Sequence, residues 1–461
     1  MVETHTQPRS LFKLTWPLFI DLAFHFLTGA LNTFMVGKVS YQSVASLAVG
    51  NQIFDLCITL FNFIGIGSSV VIAQYLGAGD RSMARRVVHT AIGFNLLVGA
   101  ITTVVVIVGA DNLLHLMNMP DDLMADGHTY LTVIGLCLVP EAATPCMAAA
   151  LRAHGHTREA MYVTMVANII TFAGNALLLF GWFGLPKMGV AGVAWSTVVG
   201  RLVALGLIIY LMQKRTGIRL RLRQLFVWPR EVLGKIMHIG LPAAGENLSW
   251  MLQFMVVTSF VALMGDKALA TQSFFFQICL FILLFGLSIG LGTEILVGHL
   301  VGAGKFEQAY RQLLRSLKLG LLVTAVVVVP AALGGGRYLM SLFTDDSEIV
   351  ALASQLFLVS LILEPGRTFN IVVINSLRAT GDARFPLMMG LISMWGLAIP
   401  LAWFLGLHLG WGLVGIWLAF AADEWTRGLA MYWRWKSRRW EKKVLVQLKP
   451  DAVLQEQSCH G

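Results

Sequence analysis

Two stretches, AQYLGAGDRSMARR at residues 73–86 and GHLVGAGKFEQAYR at residues 298–311, share one pattern. In each, an apolar segment ends in Gly-Ala-Gly and a basic amphipathic segment follows, as expected where glycines release the chain from a helix into a turn. No strand precedes the glycines and no nucleotide-binding spacing is present, so the pattern does not predict a phosphate site. Finding the same pattern twice indicates an internal repeat.

The repeat extends through most of the chain. A shift of about 225 residues aligns prolines, acids, glutamines and glycines of the first part with the second. These pairs are Pro17 with Pro242, Asp21 with Glu246, Gln52 with Gln277, Gly65 with Gly290 and Gly67 with Gly292. One more residue of shift aligns LRAHG (151–155) with LRATG (377–381) and Arg201 with Arg427.

The composition places these repeats in a membrane. Apolar residues make up 57% of the 461 residues and charged residues 13%, with a mean hydropathy of +0.72, whereas soluble domains average about 25% charged residues. Runs long enough to span a bilayer occur at roughly 11–36, 46–76, 84–109, 127–152, 159–181, 189–212, 232–264, 269–301, 310–333, 348–377, 385–407 and 413–435. We therefore predict an all-α integral membrane protein with twelve transmembrane helices.

An even number of helices in each half predicts two six-helix lobes that enter the membrane in the same orientation, as parallel repeats around a central cavity. The predicted boundaries are an N-terminal lobe at 1–212, a cytoplasmic linker at 213–235, a C-terminal lobe at 236–435 and a basic tail at 436–461. Most Lys and Arg residues fall in loops on one side, which predicts cytoplasmic N- and C-termini. The net charge of +9 is thus an orientation signal and does not predict nucleic-acid binding.

The paired Gly-Ala-Gly turns, the paired LRA-x-G loops and the segment GVAGVAWST (189–197) together resemble the multidrug and toxic compound extrusion (MATE) family. WPLFID (16–21), GLPAAGENLSW (240–250) and EPGRTFN (364–370) resemble a bacterial subgroup of it. The resemblance covers nearly the whole chain. It implies a cation-coupled exporter, in which a proton or sodium ion moves inward as an organic, often cationic or aromatic, compound moves out.

The resemblance also implies where the coupling ion binds, and this chain departs from it. Sodium-using members carry an acid in the tenth helix at a place that falls here at about Arg367, which puts sodium coupling in doubt. Proton-coupled members carry an aspartate in a D-T-x-x-x-G setting in the first helix, where this chain has Asn32-Thr33. Asn175 likewise stands where that branch has another aspartate.

Acids at bilayer depth cost several kcal/mol and are functional candidates. We predict Asp21, Glu246 and Glu364 as cation-coupling residues, with buried hydrogen bonds or ion pairs as the alternative role. Asp21 and Glu246 each follow a helix proline by four residues, and proline leaves backbone carbonyls available to a cation or water. We expect Asp21 to take over the protonatable role that Asn32 cannot serve. Asp55 has no acidic counterpart in the second repeat, where Leu280 stands.

The predicted substrate and cavity residues are polar side chains within the spans: Asn32, Gln52, Gln277, Glu141 and His25. His25 lies one turn from Asp21 and titrates near neutrality, so it is a candidate proton relay; a merely hydrogen-bonded neighbour is the alternative. Arg367, Asp423 and Arg427 have the i,i+3 and i,i+4 spacing to acids or bases that predicts structural ion pairs.

The function that we predict first is export of organic compounds, such as drugs, dyes or flavin-like metabolites, by a proton-coupled antiporter. The alternatives are a sodium-coupled version of the same exporter and a flippase for a lipid-linked saccharide. No intramembrane protease motif is present, so an enzyme is not expected. The five scattered cysteines predict neither disulfides nor a metal site, and no cofactor is expected. The expected partners are small organic molecules and the bilayer of a bacterial inner membrane, with the chain a monomer.

Overall fold

The computed structural model of the protein describes residues 10–37, 41–181 and 187–447. In these three ranges the regular secondary structure is helical, without strands. The helices are α1 (Leu11–Gly37), α2 (Tyr41–Gly77), α3 (Arg81–Val108), α4 (Ala110–Leu116), α5 (Met124–Gly135), α6 (Leu138–Ala153), α7 (Thr157–Phe180), α8 (Gly189–Thr216), α9 (Leu222–Leu225), α10 (Arg230–Ala262), α11 (Asp266–Gly302), α12 (Phe306–Pro330), α13 (Gly336–Ser341), α14 (Ser347–Thr380), α15 (Arg384–Ser393), α16 (Ile399–Ala402) and α17 (Gly412–Lys436).

These helices match the spans predicted from the sequence, with two differences in detail. The predicted span at 127–152 is two helices, α5 and α6, bent by 50° at a short break. The predicted span at 385–407 is continued from α15 through π-helical turns around α16. Among the described residues, 9 helices are long and apolar enough to cross a membrane, or 10 with the α5–α6 pair. The fold is therefore that of an all-α, multi-pass membrane protein.

The described helices group into two compact units. The first contains Ile20–Ile72 and Asp80–Gly240 and is called the N-lobe. Within it α7 packs along α8, and α3 packs along α6. Its core includes Phe61, Tyr130 and Leu138, each at most 2% exposed. The N-lobe therefore contains the first turns of α10, at 230–240, which the sequence analysis divides between the linker at 213–235 and the C-terminal lobe at 236–435.

The second unit contains Met1–Phe19, Ala73–Gly79 and Leu241–Gly461, within the limits of the described ranges, and is called the C-lobe. Its centre is α14, which packs against α11, α12 and α17. Its core includes Phe275 between Phe357 and Trp417, with ring centroids 5.0 and 4.7 Å away. The division of 1–212 from 236–435 stays a prediction, because α1, α2 and α10 each contribute residues to both units.

The repeat is visible in the backbone packing of the C-lobe, where the ends of α2 and α11 cross. A Cβ atom added at Gly77 would lie 2.8 Å from the carbonyl carbon of His299. One added at Gly302 would lie 2.7 Å from the carbonyl carbon of Gln74. The two contacts are related by the repeat, because Gly77 aligns with Gly302 and Gln74 with His299. The first glycine of each Gly-Ala-Gly motif is therefore a point of close helix approach.

The last glycine of each motif makes the turn. Gly79 and Gly304 have φ of +77° and +74°, a left-handed conformation in which glycine avoids the steric cost of a side chain. Asp80 then caps α3, since its carboxylate accepts a hydrogen bond from the backbone amide of Met83 at 2.9 Å. This geometry agrees with the interpretation of the motif as a structural turn between two helices.

The segment after α17 packs on the C-lobe. Trp440 is fully buried and stacks on Trp435 with centroids 4.4 Å apart. The backbone amide of Leu445 donates to Gln74 Oε1 at 2.9 Å, while Gln74 Nε2 donates to the Ala379 carbonyl at 2.6 Å. Residues 438–447 thus tie the end of α2 to the loop after α14.

Candidate functional site

Most intramembrane charges of the C-lobe lie in one buried network between α14 and α17. Arg367 Nη1 lies 2.8 Å from Glu364 Oε1, and Arg367 Nε lies 3.8 Å from Glu424 Oε1. Arg427 Nη2 lies 2.8 Å from Asp423 Oδ2 and 3.1 Å from Glu424 Oε1. All five side chains are less than 10% exposed. Three carboxylates therefore share two guanidinium groups, an arrangement that compensates the cost of burying them.

Neutral side chains complete this network. Asn370 Nδ2 donates to Glu424 Oε2 at 2.7 Å, and Ser393 Oγ donates to Asp423 Oδ1 at 2.6 Å. The contacts expected for Arg367, Asp423 and Arg427 from their helical spacing are present in this geometry. Glu364 is predicted to couple a cation, with a buried ion pair as the alternative role. In the structure it has an ion-pair partner, Arg367. Its coupling role stays a prediction.

Glu246 of α10 also has an arginine partner, from a different helix. Arg378 Nη2 lies 2.7 Å from Glu246 Oε2, and both residues are less than 10% exposed. Arg378 belongs to the LRA-x-G motif, which is 132 residues away in sequence. Sequence spacing could not reveal this pair, so the prediction of Glu246 as a cation-coupling residue lacked its most important neighbour.

Asp21 of α1 is in a different situation. Its Oδ1 is buried without a hydrogen-bond partner, and no residue in the described ranges forms an ion pair with it. His25, one turn later, is exposed toward a cavity within the N-lobe. Gln52 and Gln277 are both exposed. The side chain of Asn32 lies outside the described part of the structure.

The N-lobe encloses a cavity of about 420 Å³, which we call the N-lobe cavity. Its volume lies within the roughly 300–1,000 Å³ of pockets that hold small organic ligands. It is lined by side chains of α1, α2, α5, α7 and α8: His25, Thr28, Gly29, Leu47, Ala48, Asn51, Phe54, Asp55, Ile58, Tyr130, Ile134, Asn168, Thr171, Val193, Thr197 and Arg201. The wall combines apolar and polar side chains.

On α2, Asp55 is the acidic group of the N-lobe cavity. Its side chain is exposed and makes no ion pair or carboxylate hydrogen bond with any residue that the structure describes. Asn51, one turn earlier, accepts a hydrogen bond from the buried Tyr130 hydroxyl at 2.5 Å through its Oδ1. His25 and Arg201 lie within electrostatic range of the Asp55 carboxylate. Asp55 is thus a carboxylate available to a ligand or a proton.

On α8, Arg201 brings a guanidinium group to the same wall. Its Nη1 lies 3.2 Å from Glu141 Oε1, and the Arg201 side chain is 20% exposed whereas that of Glu141 is 7% exposed. Glu141, predicted as a cavity residue, therefore lies behind the wall and acts on the cavity through Arg201. The sequence alone identifies Arg201 only as the repeat partner of Arg427.

Three of the corresponding positions in the C-lobe hold aromatic side chains that contact one another. The repeat aligns His25 with Trp250, Gly29 with Phe254, Asn51 with Phe276 and Asp55 with Leu280. Phe254 lies 4.7 Å from Phe276 and 5.8 Å from Trp250, measured between ring centroids. The polar wall of the N-lobe is thus replaced by an apolar cluster. The mismatch of Asp55 with Leu280 is already visible in the sequence, and it identifies Asp55 as a candidate once differences between the repeats are weighed as well as matches.

Comparison with known proteins fits this architecture. The MatE family model matches residues 17–177 and 242–404, one match to each repeat. The chain belongs to the MatE family. It is 43% identical to the uncharacterized transporter YisQ of Bacillus subtilis, over 95% of this chain and 96% of that protein. It is 26% identical to the probable multidrug resistance protein NorM of Thermotoga maritima, over 95% and 94% of the two chains.

A solved structure of a MOP superfamily transporter from Pyrococcus furiosus superposes with a TM-score of 0.84. It covers 93% of this chain and 95% of that one at 19% identity, so it supports the two-lobe fold of twelve helices. The protein is therefore a multi-pass membrane transporter of the MatE family, as the resemblance of its motifs implied.

Proposed function

We propose that the protein exports organic compounds, cationic or aromatic in character, across a bacterial plasma membrane by alternating access coupled to proton entry. The observation that carries this proposal is the N-lobe cavity, with the unpaired carboxylate of Asp55 in its wall. A carboxylate in a pocket of low dielectric attracts a cationic group strongly. Several relatives named as multidrug resistance proteins support export.

Proton coupling is favoured by the contrast between the two lobes. In the C-lobe, Glu246 and Glu364 each lie within 2.8 Å of an arginine nitrogen. A fixed guanidinium repels a sodium ion and already satisfies the carboxylate. In the N-lobe cavity, Asp55 and His25 are titratable groups exposed to the cavity. A proton can therefore replace a substrate cation on Asp55 without displacing an arginine.

In this mechanism a proton and a cationic substrate compete for the same carboxylate. With the cavity open to the cytoplasm, ionised Asp55 binds the cationic group of the substrate. With the cavity open to the outside, protonation of Asp55 removes that attraction and the substrate leaves. Return of the proton to the cytoplasm restores the charge. Coupling follows because the two ligands favour different states of one site.

Asp21 is proposed as a second proton-binding group on the same lobe. Its Oδ1 is buried without a hydrogen-bond donor, so the ionised carboxylate is poorly stabilised there and protonation removes the cost of the buried charge. His25 lies one turn after Asp21 on α1 and lines the N-lobe cavity, and we propose it as the proton relay from Asp21 to the cavity. Glu246 and Glu364 then hold the C-lobe together through their arginines.

Transport by purified protein in liposomes tests the proposal. A pH gradient, acidic outside, should drive substrate movement by the wild type, and a sodium gradient alone should not. Asp55→Asn should abolish the pH-driven component, because the amide cannot titrate. Asp122→Asn, an exposed acid before α5, is the matched control and should retain full transport.

Three outcomes would overturn parts of the scheme. Full pH-driven transport by Asp55→Asn would remove the cavity carboxylate from the coupling mechanism. Unchanged transport by Asp21→Asn would remove the second proton site while leaving the first. Transport driven by sodium alone would replace the proton with sodium as the coupling ion. The flippase alternative is supported by no feature of the N-lobe cavity, whose volume fits a small molecule.

A further inference from the structure

The chain between α8 and α10 is held on the surface of the N-lobe. We call residues 217–228 the linker segment. A Cβ atom added at Gly93 of α3 would lie 2.6 Å from the Leu225 carbonyl carbon. The Trp228 indole N–H donates to the Leu225 carbonyl at 2.7 Å, and the Trp228 ring meets the Phe94 ring edge-on, with centroids 6.0 Å apart. The linker segment is therefore packed against the lobe.

Three arginines of the linker segment are exposed. The chain is extended at Arg221, with φ of −113° and ψ of 113°, and successive side chains of an extended chain point to opposite sides. Ile218 is 2% exposed, whereas Arg219, Arg221 and Arg223 are exposed. The Arg219 backbone is held by the lobe, since its carbonyl oxygen lies 3.2 Å from His89 Nε2. None of the three guanidinium groups forms an ion pair with a residue that the structure describes, so they are available to an anionic partner.

Two large apolar side chains are exposed beside these arginines. Leu222 and Phe226 are four residues apart along α9 and its end, so they share one face. They are 76% and 78% exposed, whereas Leu225 is buried. Exposure of large apolar side chains to water is unfavourable. A face that combines leucine and phenylalanine with arginines is typical of segments that lie in a membrane interface.

The linker segment lies directly after a predicted membrane span. Helix α8 is long and apolar enough to cross a membrane and ends at Thr216, so the next residues leave the span at the membrane surface. A surface that contains acidic lipids attracts basic segments next to a span. The planar fork of a guanidinium group also matches a phosphate group. Charge complementarity therefore favours acidic phospholipids over neutral ones.

We propose that the linker segment is a binding surface for anionic phospholipids, formed by Arg219, Arg221 and Arg223 with the apolar pair Leu222 and Phe226. The guanidinium groups bind lipid phosphates, and the apolar pair enters the membrane interface between the headgroups. This inference goes beyond the proposed function, because it involves neither the N-lobe cavity nor the coupling ion.

A fluorescent label on the linker segment tests the proposal. Gln224 is exposed, and Gln224→Cys carries an environment-sensitive fluorophore in a chain that also has Cys459→Ser. The other four cysteines are buried. The full-length protein is reconstituted into vesicles with phosphatidylglycerol as the minor lipid and phosphatidylcholine as the major lipid. One of the two lipids is brominated at a time, and quenching of the label reports which lipid lies beside it.

We expect about a tenfold preference for phosphatidylglycerol over its share of the vesicle lipid, since each arginine near an acidic surface adds to the attraction. At about 1 M salt the Debye length is about 3 Å, so the preference should fall to about one. The readout does not involve transport. The outcome is therefore independent of whether the protein exports any compound.

Two variants separate the arginines from the apolar pair. The triple variant Arg219→Gln, Arg221→Gln, Arg223→Gln should lower the preference to about one, while both lipids still quench the label. The double variant Leu222→Ser, Phe226→Ser should weaken quenching by both lipids, because the label moves toward water. These side chains are all exposed, so their replacement leaves the core of the lobe intact.

Three arginines at the start of α3 provide the matched control. Arg81, Arg85 and Arg86 are exposed on the same lobe, and no large apolar side chain of residues 81–96 is exposed. The variant Arg81→Gln, Arg85→Gln, Arg86→Gln removes the same charge as the triple variant of the linker segment. It should keep the wild-type preference, because it leaves the linker segment unchanged.

Three results would overturn the proposal. Quenching of the wild type in proportion to the lipid composition shows contact with the bilayer without selection of acidic lipid. Absence of quenching by either lipid shows that the surface faces water or a protein partner. An equal loss of preference in the control and in the triple variant of the linker segment shows an effect of net charge and no local binding surface.

Discussion

The crossing of α2 and α11 gives a quantitative prediction about Gly77 and Gly302. Replacing either by alanine puts a Cβ atom 2.7–2.8 Å from a backbone carbonyl carbon of the other helix. Carbon atoms pack best at about 3.5–4.0 Å, so the two helices have to separate by about 1 Å. Neither contact can be relieved by a side-chain rotation, because the atoms that collide belong to the backbone.

The cost of such overpacking is about 1–3 kcal/mol. For a unit of 150–250 residues this lowers the melting temperature by about 2–12 °C, at about 2–4 °C per kcal/mol. The repeat adds a sharper expectation: Gly77→Ala and Gly302→Ala should cost similar amounts, because their contacts are equivalent. The double variant should cost less than the sum, since the separation forced by one methyl group accommodates the other.

The assay is thermal unfolding of purified protein in detergent, followed by tryptophan fluorescence. The control is Gly206→Ala in α8, where an added Cβ meets no atom within 4 Å; it should be neutral or stabilising by up to about 1 kcal/mol through helix propensity. Melting temperatures equal to wild type for both single variants would refute the close crossing. Clearly unequal losses in the two single variants would refute the equivalence of the contacts, and full additivity in the double variant would refute their coupling through one helix separation.

Three further predictions concern the C-lobe. Arg378→Met should destabilise by about 3–5 kcal/mol because it leaves Glu246 charged and unpaired, and Glu246→Leu in the same chain should recover most of the loss; equal melting temperatures for the single and double variants would contradict this. Trp440→Ala should cost about 3–5 kcal/mol of unfolding free energy, whereas Trp433→Ala, 59% exposed, should cost far less; similar losses would contradict the packing of the tail. A backbone amide of α14 and the Lys267 ammonium hold the pKa of Asp346 below its ordinary value. The ionised carboxylate therefore stabilises the fold at neutral pH, and this contribution is lost as the pH falls below about 4. In Asp346→Ala the free energy of unfolding should depend less on pH in that range, and an unchanged pH dependence would contradict the prediction.

The membrane fold could be predicted from the sequence because its determinants are local. Apolar runs and the 225-residue repeat shift depend only on residue type and spacing. The break between α5 and α6 could not, because it falls in an apolar run where Gly135 and Pro140 are the only local signals. The start of α10 belongs to the N-lobe because of long-range packing. Residue spacing in the sequence does not predict such packing.

The candidate site was only partly predictable, for the same reason. Helical spacing is enough to bring Arg367 to Glu364 and Arg427 to Asp423. The partner of Glu246 is Arg378, 132 residues later in the sequence. This arginine changes the expected role of Glu246 from cation binding toward a structural ion pair. A buried carboxylate beside a guanidinium is a structural group first, whereas the same carboxylate without one is a candidate for a proton.

In a duplicated transporter, a residue found in both repeats and a residue found in one carry different information. The matched residues Gly77 and Gly302 make equivalent backbone contacts in the C-lobe. A glycine found at both positions therefore indicates a packing requirement that is shared by the two repeats. Asp55, by contrast, is aligned with Leu280, and His25 with Trp250. This difference between the repeats supports the proposal that the N-lobe binds the ion and the substrate. Introducing the apolar residue at the polar position, as in Asp55→Leu, should therefore abolish coupling while the lobe still folds, because the C-lobe accommodates leucine at the matching position.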